Sequence, residues 1–69
     1  MKKELYYQIG AVYLRITKGS PSDMLAEMER IGATVRFATS EMVTGVLECE
    51  IGAAEKLIAD GWTWKGAEQ

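Results

Sequence analysis

Few side chains in this sequence could do chemistry, and their spacing limits what that chemistry could be. Cys49 is the only cysteine and there is no histidine, so neither a thiol–imidazole pair nor a histidine general base can be assembled. Cys49 also falls on the inward parity of its segment, where a thiol acts as a small buried hydrophobe. Glu48 and Glu50 stand two residues apart and share one face of an extended chain, as a cation site would require. Hard cations take more oxygen ligands than two carboxylates supply, and acids at a strand end are usually just solvated. No metal, no cofactor and no catalytic residue is therefore expected, and the chain reads as a non-enzyme. The remaining candidate is an anion site at Lys18, Gly19 and Ser20, where free amides, a hydroxyl and a lysine converge on a helix start. The same residues suit plain capping: Ser20 as N-cap, Pro21 at the first helical position and Asp23 as the capping-box acid.

These residues must be positioned by a small set of elements. Leu5 to Thr17 is strongly strand-like, rich in β-branched and aromatic residues and free of proline. Val12, Leu14 and Ile16 alternate with Tyr13, Arg15 and Thr17, whereas Leu5, Tyr7 and Ile9 are apolar on the opposite parity. Either a bulge at Gly10 resets the alternation, or both faces of one long strand are covered. A helix over Pro21 to Ile31 presents Met24, Leu25, Met28 and Ile31 and stops at Gly32. Ala33 to Ala38 and Met42 to Glu50 form a hairpin. Ile51 to Asp60 is a second helix, with Ala54, Leu57 and Ile58 inward, closed by Gly61. Trp62 to Lys65 is a short fourth strand, or else its tryptophans fold back onto the core and leave three strands.

This order predicts an α+β, ferredoxin-like βαββα(β) domain over residues 1–66, with a frayed tail at 67–69. The antiparallel sheet would have strand order 4-1-3-2 and both helices on one face.

At 69 residues a chain buries only about 60% of the surface that its unfolded form exposes. With disulfides excluded, self-association or partner binding is the available source of further stability. Eight basic and ten acidic residues give a net charge of −2, and the cations are dispersed, which argues against a phosphate-backbone partner. An RNA platform on the sheet is disfavoured too, because the third strand offers acids and no aromatic. The absence of a long apolar run excludes a membrane span, and the expected location is the cytoplasm.

Function should then reside on the sheet face turned away from the helices. With Val12, Leu14, Ile16, Val35, Phe37, Val43 and Leu47 inward, the far face would carry Tyr7, Ile9, Tyr13, Arg15, Arg36, Met42 and Val46, with Trp62 and Trp64 beside them. Tyr, Trp, Met and Arg are enriched at protein interfaces. The expectation is a non-catalytic interaction module, either a homo-oligomer or a compact inhibitor or adaptor of the kind that phages and mobile elements encode. The alternative is an ACT-like regulatory domain sensing an anionic metabolite at the Lys18 to Asp23 turn.

Overall fold

A computed structural model describes residues 1–48, 52 and 54–67. The strand-like opening stretch is two strands, β1 (Lys2–Gln8) and β2 (Ala11–Thr17), paired antiparallel from Lys2↔Thr17 to Gln8↔Ala11. Ile9 and Gly10 form the connecting turn, both at positive φ (43° and 78°), as the type I′ turns that join twisted hairpin strands require. Gly10 is thus neither a bulge nor a point within one long strand. The parity of the apolar residues changes there because the chain reverses direction.

Helix α1 (Pro21–Ile31) follows. Ser20 Oγ accepts from the Asp23 backbone N–H at 3.3 Å, and the Gly32 amide donates to the Glu29 carbonyl at 3.1 Å. Met24 and Met28 are buried, Ile31 is half-buried, and Leu25 faces solvent. Strands β3 (Thr34–Ala38) and β4 (Met42–Leu47) make the expected hairpin. Helix α2 (Ala54–Ala59) buries Ala54 and Leu57 and leaves Ile58 exposed. Strand β5 (Thr63–Ala67) closes the sheet by pairing parallel to β1.

The molecule is a small mixed α+β domain in which two helices pack on a five-stranded sheet of order β3-β4-β2-β1-β5. Neither the expected order 4-1-3-2 nor a wholly antiparallel sheet is observed, because β1 stands between β2 and β5 and pairs parallel to β5. One core joins Leu5, Val12, Leu14, Ile16 and Val43 of the sheet to Met24 and Met28 of α1 and to Ala54 and Leu57 of α2. Both helices therefore cover the same face. Gly45 lets β4 come close to α1: a Cβ there would lie 3.0 Å from Met28 Sδ and 3.1 Å from the Thr34 carbonyl oxygen. Trp62 is 2% exposed and belongs to this core, with Lys3 Nζ lying 5.6 Å from its ring centroid. Among the described residues no helix is long and apolar enough to cross a membrane.

Candidate functional site: the open face of the sheet

Strand register decides which side chains reach the face opposite the helices. The β1/β2 ladder sets Tyr6 opposite Tyr13 and Glu4 opposite Arg15. The β2/β4 ladder sets Tyr13 opposite Val46, Arg15 opposite Thr44 and Thr17 opposite Met42. In β3 the register shifts between Val35 and Phe37, so that Phe37 pairs with Thr44 and joins this open face, against the expectation that it lies under the helices. Bulges re-aim side chains in this way.

At the centre, the Tyr6 and Tyr13 rings stack at 5.6 Å between centroids, 11° from parallel. The Arg15 guanidinium lies 5.4 Å from the Tyr6 ring centroid, with Nη2 3.5 Å from the Tyr6 hydroxyl oxygen. Planar cations favour this position over an aromatic face. Arg15 Nε is buried and has no hydrogen-bond partner among the described residues. Beside it, Lys65 Nζ pairs with a Glu4 carboxylate oxygen at 3.0 Å. That hydrogen bond, opposed by burial and reinforced by the charges of Lys2, Lys65 and Arg15, holds the Glu4 carboxyl below its ordinary range.

Of the residues expected on this face, Tyr13, Arg15, Met42 and Val46 are there, although Val46 is only 5% exposed. Arg36 is exposed at the β3 irregularity. Ile9 is at the hairpin tip and 94% exposed. Tyr7, Trp62 and Trp64 must be corrected, since all three pack with the helix-side core. Tyr7 shares the inward parity of Leu5, and Trp64 is in register with Leu5 through the parallel β1/β5 pairing. Sequence reasoning missed Tyr6, which becomes visible once the hairpin puts it opposite Tyr13.

Lys18, Gly19 and Ser20 do not converge on one point. The Ser20 hydroxyl caps α1, while Lys18 and Gly19 line a cleft of about 530 Å³ with Thr17, Phe37 and Met42 at the end of the sheet. Glu48 follows β4 and is exposed; Cys49 and Glu50 lie outside the described residues. Among the described residues, no three carboxylate or thiol side chains gather where they could hold a metal ion.

No protein-family model, curated protein or solved structure matches the chain.

Proposed function

We propose that the protein is a non-catalytic protein-binding module that engages its partner through the open sheet face, and so acts by occlusion or as an adaptor. The observation that carries this reading is the Tyr6–Tyr13 stack with the Arg15 guanidinium over it, an aromatic and cationic cluster on the face opposite the helices. Tyrosine and arginine are enriched where proteins meet. A partner carboxylate would pair with the Arg15 guanidinium, while apolar partner groups cover the tyrosine stack, Met42 and Phe37. The partner chemistry this favours is an acidic side chain flanked by apolar ones.

Growth of the sheet at its edges is a weaker route. Both edge strands have irregular pairing, and they carry Arg36 and Lys65, which are features that discourage strand addition. In topology we read a ferredoxin-like arrangement with one strand added: without β1, the order β3-β4-β2-β5 is the one that the four expected strands would have.

The test combines sedimentation with quantitative affinity capture from source cells, using the wild type and Tyr13→Glu. Self-association, or capture of an acidic-motif protein, that disappears in the variant while its helical circular dichroism is retained supports the proposal. A monomer with identical capture profiles for both proteins overturns it.

A further inference from the structure

The cleft at the end of the sheet shares Phe37 and Met42 with the partner surface but carries an inference of its own. We infer that it binds a small zwitterion with an apolar group, namely a free α-amino acid with an aromatic or branched side chain.

Its floor is apolar. Phe37 is 52% exposed and was brought to the open face by the β3 register shift, and Met42 lies beside it in the same lining. Methionine adapts its shape readily to an incoming group. The rim is charged with both signs. Lys18 and Glu41 are the next residues beyond Thr17↔Met42, the terminal pair of the β2/β4 ladder, and both line the cleft. Among the described residues neither forms an ion pair. Two opposite charges that flank one apolar floor without pairing match a carboxylate and an ammonium on a single small molecule.

The wall is already set. The Thr39 hydroxyl accepts from the Glu41 and Met42 amides at 3.2 and 3.1 Å and donates to the Met42 carbonyl at 3.3 Å, so little ordering remains to oppose binding. Lys18 itself has a φ of 59°, a left-handed conformation that glycine adopts without strain. The volume of about 530 Å³ falls within the usual range for ligand sites.

The test is a titration of the ¹⁵N-labelled chain with L-phenylalanine and with L-leucine, followed by amide correlation spectra. Shifts confined to residues 17–19 and 37–42 are expected. Lys18→Asn, which tolerates the left-handed backbone, should weaken phenylalanine about tenfold, as loss of one charged hydrogen bond does. Glu41→Gln should weaken phenylalanine by a similar factor yet leave 3-phenylpropionate, which lacks the amine, unchanged. The inference is overturned if neither amino acid produces localised shifts at millimolar concentration. It is equally overturned if 3-phenylpropionate binds the wild type as tightly as phenylalanine, or if both variants bind phenylalanine as the wild type does.

Discussion

Tyr6 and Tyr13 face one another across the β1/β2 ladder with ring centroids 5.6 Å apart, and Arg15 from the same strand as Tyr13 lies over Tyr6. The stack exists because a two-residue turn pairs Gln8 with Ala11 and every earlier residue accordingly. Aromatic cross-strand pairs of this kind are worth about 0.5–1.5 kcal/mol beyond simple burial. A double-mutant cycle of Tyr6→Ala and Tyr13→Ala, measured by urea unfolding, should therefore give a coupling of about 1 kcal/mol. Additive single effects would mean that the two rings are independent.

Ile9 departs most from local preference. It is β-branched, has a φ of 43° and is 94% exposed, at a turn position that favours asparagine. The left-handed region costs such a residue about 1–2 kcal/mol, and in the isolated molecule no burial offsets that cost. Ile9→Asn should stabilise the free protein by about 1 kcal/mol, read as a higher urea midpoint. If partner capture also weakens, the strained residue contributes to binding; if stability is unchanged or falls, the account of strain is wrong.

The hairpin was legible in one respect and hidden in another. In an antiparallel pair closed by a two-residue loop, facing residues have opposite numerical parity, so Leu5 and Tyr7 share a face with Val12 and Leu14. The parity flip at Gly10 was thus the mark of a reversal, but Ile9-Gly10 lacks the Asn-Gly signature that announces one. Missing it misplaced Tyr7, hid Tyr6 and left β1 out of the strand order. Periodicity also fails at Phe37, because the register shift in β3 breaks strict alternation. Trp62 and Trp64 were ambiguous for another reason: a two-tryptophan segment at a sheet edge suits either face until its partner strand is known. Where local chemistry was sufficient by itself, as in the Ser20 cap, the Gly32 stop and the inward methionines of α1, sequence and structure agree.

Gly45 sets the distance between β4 and α1. An added Cβ would lie 3.0 Å from Met28 Sδ and 3.1 Å from the Thr34 backbone oxygen. The sulfur can move, whereas the backbone carbonyl is fixed by its strand. Gly45→Ala should therefore destabilise the fold by about 1–3 kcal/mol, the usual range for overpacking. Shortening the neighbouring side chain by Met28→Ala should not rescue it, since the Thr34 contact remains and a cavity opens. Recovery of the urea midpoint in the double variant would show instead that the methionine is the obstacle.

Acid stability should depend on Glu27. Arg30 bonds both Glu27 and Asp60 and so ties α1 to the turn after α2, while Lys3 reaches Glu27 from β1 at 3.8 Å. The hydrogen bond from Arg30 is the main cause that holds the Glu27 carboxyl below its ordinary 4.5, opposed by burial and aided by the charges of Lys3 and Arg30. The folded form thus binds this proton less readily than the unfolded form does. The resulting stabilisation is complete above about pH 4.5 and fades as pH falls through the lowered folded value. Glu27→Gln should lower the urea midpoint at about pH 7 and flatten its decline below about pH 4.5, because no proton uptake at position 27 then accompanies unfolding. Asp60→Asn should preserve most of that decline, since the Glu27–Arg30 bond survives it. A Glu27→Gln profile that falls in parallel with the wild type would assign the acid sensitivity to other carboxylates, Glu4 with its Lys65 bond being the next to examine.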